Sequence, residues 1–91
     1  MHAVVVRVTV NNVEASIQEL RESVVPTVSQ APGFVAGYWT RREDSDKGLS
    51  MIVFESEEGA QTVRQMIESG PGPGDGVTLE SVELAEVVAS A

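Results

Sequence analysis

The sequence predicts an α+β fold in which two helices cover one face of a four-stranded sheet. Three observations predict it: a valine-rich segment at residues 3–10, an apolar helical stripe that a Pro-Gly pair ends, and two further strand-like segments joined by a charged turn. The resulting order is β-α-β-β-α-β, the split βαβ pattern of ferredoxin-like sandwiches, in which the first strand lies between the third and the fourth. We expect residues 1–91 to form a single domain, because a chain this short has no room for a second core.

The first strand is predicted by its side chains. Residues 3–10 are β-branched almost throughout, which favours a pleated strand over a helix. Alternation places four valines on one face and Arg7, among smaller residues, on the other. We expect the valine face to pack against the helices and the mixed face to meet a partner subunit.

The first helix follows directly. Asn11 and Asn12 offer an N-cap, and apolar residues then recur at helical spacing over residues 13–31. Pro26 lies inside that stripe. Because proline lacks an N–H and clashes with the preceding turn, it predicts a kink or break near residues 22–26.

The remaining elements are predicted from composition and turn chemistry. Ser56 caps a second helix that Gly70 ends, and the first turn of this helix carries two glutamates near the positive end of its dipole. The Gly-Pro stretch at residues 70–76 is predicted to be a loop, and its spacing does not match a phosphate-binding motif. The other three strands are predicted at residues 34–41, 49–55 and 77–88.

Composition excludes several classes of function. Six basic and fourteen acidic residues give a formal charge of −8, which argues against nucleic acid and membrane surfaces as partners. The chain has no cysteine, and its one histidine, His2, is expected to be mobile near the terminus. No metal, haem or flavin is therefore expected. The opening residues lack the pattern of a signal peptide, which favours a cytoplasmic protein.

Four segments carry a resemblance to a known family: the opening valines, the helix end at Ala31-Pro32-Gly33-Phe34, the hairpin, and the strand-to-helix passage at residues 50–60. On these, the chain resembles the dimeric α+β barrel proteins of the antibiotic biosynthesis monooxygenase type. The resemblance implies a homodimer with two sheets face to face and a ligand cleft between helices and sheet in each subunit. In the haem-degrading branch of this family, the second helix supplies the proximal histidine. Residues 56–69 of this chain contain no histidine, so the resemblance does not extend to that branch.

Tyr38 and Trp39 are the aromatic candidates for a binding site. As neighbours on a strand they point to opposite faces, so one should enter the space between helices and sheet and the other the face shared with a partner. Either ring could stack on a flat ligand, or both could fill core and interface. The small residues Ala36 and Gly37 beside them predict a hollow in which a ligand could lie.

Arg7 is the charged candidate. It lies mid-strand among valines, where it either pairs with Glu80 or Glu83 of the last strand or binds an anionic group of a substrate. We therefore predict substrate-binding roles for Tyr38, Trp39 and Arg7. No residue is assigned as catalytic, because no credible general base is present.

Together these observations predict a homodimer that binds a small apolar or aromatic molecule. Cofactor-independent oxidation of a phenol or quinol is the enzyme hypothesis, because the substrate would have to supply its own reactivity. The alternative is a non-catalytic interaction or ligand-sensing module. A cleft that gathers polar side chains would favour the enzyme, and a space filled by apolar side chains the alternative.

Overall fold

The computed structural model describes residues 1–69 and 76–91 and contains one antiparallel sheet. Its strands are β1 (His2–Val10), β2 (Phe34–Arg41), β3 (Lys47–Phe54) and β4 (Val77–Glu86). The spatial order is β2-β3-β1-β4, so the first strand lies between the third and the fourth. The predicted ferredoxin-like topology is confirmed. β3 begins two residues before its predicted start, and β4 ends two residues before its predicted end.

The helical segments are α1 (Val13–Glu19), a π-helical segment (Leu20–Val24), α2 (Val25–Ser29) and α3 (Glu57–Ser69). Together they cover one face of the sheet, where the core forms. None of the helices in the described residues is long and apolar enough to cross a membrane. The predicted helix end at Gly70 and the predicted loop up to residue 75 lie outside the described residues.

The core lies between the central strands and α3. Buried side chains of β1 and β3 pack against Ala60 and Val63 of α3. Phe34 meets Phe54 edge to face, with ring centroids 6.1 Å apart. Because β1 and β3 are the central strands, their helix-facing residues are covered on all sides. The buried cluster consists of Val4, Val6, Ile52, Phe54, Ala60 and Val63.

The two asparagines before α1 have different roles. Asn12 is the N-cap, since its Oδ1 accepts a hydrogen bond of 3.0 Å from the Ala15 N–H. Asn11 instead donates from Nδ2 to Thr78 Oγ1 at 2.9 Å, which ties the start of α1 to β4.

Pro26 does not break the first helix. The backbone stays right-handed from α1 to α2, and the Val25 N–H donates to the Leu20 carbonyl, five residues earlier. A π turn is wider than an α turn, so it accommodates the proline ring, which would otherwise clash with the Glu22 carbonyl. The disturbance predicted near residues 22–26 therefore takes the form of a π-helical segment.

The turn after α2 lies close to the segment that leads from β3 into α3. Gly33 has a φ of +83°, a conformation that favours glycine, and its carbonyl accepts a 2.8 Å bond from the Glu55 N–H. Ser56 caps α3 as predicted, accepting a 3.1 Å bond from the Gly59 N–H. A Cβ at Gly59 would lie 3.0 Å from the Pro32 carbonyl oxygen, so this glycine lets α3 approach the turn that follows α2.

Candidate functional site

A cavity of about 590 Å³ lies between the sheet and the helices. All four strands contribute to its floor, and α1, the π-helical segment, α2 and α3 form its other walls. The lining is mainly aliphatic. Ile17 and Met66 line it while 41% and 55% exposed, so the cavity opens to solvent between α1 and α3. The space between helices and sheet is therefore not filled by side chains.

Trp39 supplies the one aromatic ring of this lining in the described residues. Its indole folds back along β2 over Gly37: a Cβ at Gly37 would lie 2.7 Å from Cη2 and 2.8 Å from Cζ3 of Trp39. The prediction of a hollow at Ala36 and Gly37 is therefore wrong. The indole occupies the space at Gly37, and Ala36 pairs with Val53 on the other face of the sheet.

A β-bulge determines which aromatic side chains of β2 meet the core. Phe34 and Trp39 are five residues apart, a spacing that puts side chains on opposite faces of a regular strand. The register shifts between Phe34 and Ala36, and both rings pack against the core from the helix side.

Tyr38 lies on the open face of the sheet and is 68% exposed. Its neighbours there include Met51, directly opposite on β3, and Leu49, both of them exposed. Arg7 is on the same face, with its Nη1 3.7 Å from Glu83 Oε1. Tyr38 and Trp39 therefore point to opposite faces as predicted, and the sheet separates Tyr38 and Arg7 from the cavity.

Polar side chains are a minority of the cavity lining, and three of them, Ser23, Thr27 and Thr40, are exposed. Ser50 is 8% exposed and lies directly opposite Trp39 in the pairing of β2 with β3. Arg41 and Glu19 line the cavity as exposed residues at its edge. Ser16 also lines it, but its hydroxyl donates to the Val13 carbonyl oxygen at 2.8 Å.

Sequence reasoning missed Ser50, although a signal was present. Alternation along β3 places Ser50 with Gly48, Ile52 and Phe54 on one face, and the last two are typical core residues. A serine within such a series indicates a polar group that faces the interior.

His2 lies within a strand of the sheet. It is the first residue of β1, pairs with Phe54 and Glu86, and places Nε2 3.4 Å from Glu57 Oε2. Its Nδ1 is buried without a hydrogen-bond partner in the part of the chain that the structure describes. His2 does not line the cavity. Residues 1–69 and 76–91 contain no group of three or more metal-ligating side chains that could hold a metal ion.

No protein-family model and no curated protein matches the chain. Among solved structures, SnoaB from Streptomyces nogalater, a cofactor-independent oxygenase, is similar with a TM-score of 0.69 and 18% identity, over 98% of this chain and 94% of that one. A variant of MhuD, the haem degrader from Mycobacterium tuberculosis, was solved with two manganese protoporphyrin IX molecules per active site; it has a TM-score of 0.70 and 15% identity, over 100% and 98% of the chains.

A third similar structure is a dimeric ferredoxin-like protein from an uncultured marine organism. Its TM-score is 0.66 and its identity 13%, over 100% of this chain and 98% of that one. At these identities the likeness shows a shared architecture. The chain therefore has the α+β ferredoxin-like fold that these structures share.

Proposed function

We propose that this protein binds a small, planar aromatic molecule in the cavity between helices and sheet. The observation that carries the proposal is an open, apolar space of about 590 Å³ with the indole of Trp39 on its floor. This volume is within the range of small-molecule sites, about 300–1,000 Å³. A second ring placed against the indole would gain aromatic contact in addition to apolar burial.

We also propose that two copies associate through the open face of the sheet. Tyr38, Leu49 and Met51 are exposed together on this face in the single chain, and a contiguous apolar patch is typical of an interface. The dimeric state of the marine protein supports this arrangement. The predicted substrate-binding roles of Tyr38 and Arg7 stay predictions. Their position supports the alternatives of packing at the interface for Tyr38 and pairing with Glu83 for Arg7.

Cofactor-independent oxygenation of a phenol or quinol is the finer proposal. SnoaB, a cofactor-independent oxygenase of the same fold, supports it. The aliphatic lining of the cavity would also shield from water the part of an electron-rich substrate that it covers. The competing proposal is a non-catalytic ligand-sensing module. It is supported by the described lining, whose ionisable side chains, Glu19 and Arg41, lie exposed at the edge of the cavity.

The lining of this cavity does not fit haem. MhuD binds a porphyrin, but the described lining here contains no histidine, cysteine or tyrosine, and the one methionine that could ligate haem iron, Met66, would have to do so without the histidine that accompanies methionine in cytochromes c. We therefore derive no step through haem.

Titration of Trp39 fluorescence with a panel of phenols, quinols and polycyclic arenes tests the binding proposal. Because Trp39 is the only tryptophan, a saturable change reports on the cavity floor. Val24→Phe, which adds volume to the cavity wall, should abolish the change, whereas Tyr38→Phe on the open face should preserve it. Binding that persists in Val24→Phe, or a panel without any ligand, would contradict the proposal.

Two further measurements separate the remaining proposals. Light scattering should give twice the chain mass of 9.7 kDa, and a monomer at all concentrations would contradict the dimer. Oxygen uptake with each ligand that binds distinguishes the enzyme from the sensing module. Binding without oxygen uptake across the panel would favour the sensing module.

A further inference from the structure

Ser50 is the buried side chain that brings a hydroxyl to the floor of the cavity beside Trp39. It is 8% exposed, and the β2–β3 register sets it directly opposite Trp39. Side chains directly opposite each other in an antiparallel pair have Cβ atoms about 4.5–5.5 Å apart. The neighbours of Ser50 on the same face of β3 are Gly48, which has no side chain, and Ile52, which is apolar. The hydroxyl and the indole therefore border the same apolar space.

The hydroxyl of Ser50 has no partner within the described residues. Ser16 is the other buried serine, and its hydroxyl donates to the Val13 carbonyl oxygen. Within residues 1–69 and 76–91, Ser50 makes no comparable side-chain hydrogen bond. Among the described residues, His2 Nδ1 is the one side-chain nitrogen or oxygen that is both fully buried and unpaired. Because the Ser50 oxygen is unpaired but is not fully buried, it remains accessible from the cavity that Ser50 lines.

An unpaired hydroxyl in an apolar site is costly, since buried polar groups in proteins are nearly always hydrogen-bonded. An aliphatic side chain at this position would avoid the cost and fill part of the cavity. The hydrogen-bond partner of the Ser50 hydroxyl must therefore come from the cavity side, either as water or as a ligand oxygen. A ligand oxygen that replaces the water keeps the hydrogen bond while the ring gains apolar burial.

We propose that Ser50 determines ligand specificity by hydrogen bonding to an oxygen substituent of the aromatic molecule whose ring lies against Trp39. A serine hydroxyl both donates and accepts, so it suits a phenolic hydroxyl and a quinone carbonyl equally. The predicted ligand class is therefore hydroxy- or oxo-substituted arenes, not plain hydrocarbons. This inference rests on the proposed binding function.

Calorimetric titration with naphthol and with methylnaphthalene of the same substitution pattern tests the inference, because the two probes differ only in a hydroxyl against a methyl group. Ser50→Ala should weaken naphthol binding about five-fold, the worth of one ordinary hydrogen bond. It should leave methylnaphthalene binding unchanged or slightly tighter. Ser29→Ala is the matched control, since Ser29 is exposed on α2, bonds the Pro26 carbonyl and lies outside the cavity lining; it should change neither affinity.

Ser50→Cys guards against a folding defect in the alanine variant. It keeps the side chain nearly as small but bonds weakly, so naphthol affinity should fall between those of wild type and Ser50→Ala. Equal weakening of both probes, or no change for naphthol, would overturn the specificity role while leaving the binding function intact. If neither probe nor any member of the phenol panel binds wild-type protein, the binding function fails and this inference fails with it.

Discussion

A single methyl group at Gly37 should displace the indole that forms the cavity floor. The added Cβ would lie 2.7 Å from Cη2 and 2.8 Å from Cζ3 of Trp39. Carbon atoms pack best about 3.5–4.0 Å apart, so the ring must move by roughly 1 Å. Because the sheet backs the ring, it can move only toward the cavity. Gly37→Ala should therefore shift the fluorescence of Trp39 and weaken binding of aromatic probes.

The expected loss of stability follows from two opposing effects. Overpacking a well-packed site costs about 1–3 kcal/mol. Replacing glycine by alanine returns about 0.4–1 kcal/mol, because it reduces the entropy of the unfolded chain. The net destabilisation should be about 1–2 kcal/mol. In a domain of this size, each kcal/mol lowers the melting temperature by about 4–8 °C.

A double-mutant cycle isolates this clash. Trp39→Phe removes Cη2 and Cζ3, so Gly37→Ala in that background should be neutral or stabilising by up to about 1 kcal/mol. Urea unfolding of the four proteins, followed by circular dichroism at one chain concentration, gives the coupling free energy. Holding the concentration fixed matters because the stability of an oligomer depends on it. An equal cost of Gly37→Ala in both backgrounds would refute the reasoning.

Three further substitutions have defined outcomes. Gly76→Ala should destabilise by about 2–3 kcal/mol in urea unfolding, because its Cβ would lie 2.7 Å from the backbone nitrogen of Ser16, which cannot move aside; a cost below about 1 kcal/mol would contradict this contact. Ser56→Ala should cost about 1 kcal/mol through loss of the α3 cap, and an unchanged melting temperature would argue against it. Met51→Glu should dissociate the proposed dimer in light scattering, whereas Val13→Glu, which adds the same charge on the helix side, should not; a dimer in both would place the interface elsewhere.

Local chemistry determined the order of the elements. The β-branched run of β1 favours a strand, the asparagines favour a helix start, and Pro32-Gly33 ends the helix, each through interactions within a few residues. A β-α-β-β-α-β order then leaves few topologies open, which is why the strand order was predictable. Alternation also predicted that Tyr38 and Trp39 point to opposite faces.

Long-range packing decided the composition of the site. Alternation along a strand requires Tyr38 and Trp39 to point to opposite faces. The bulge in β2 decides that Trp39 faces the helices together with Phe34. The register of β2 on β3 sets Ser50 beside Trp39, and the fold of the indole over Gly37 fills a hollow that small side chains had suggested. The pairing of Trp39 with Ser50 joins residues that are distant in sequence, and the contact of the indole with Gly37, two residues away, depends on the packing around the ring. Their free energies come from packing within the assembled sheet, so only the tertiary structure decided them.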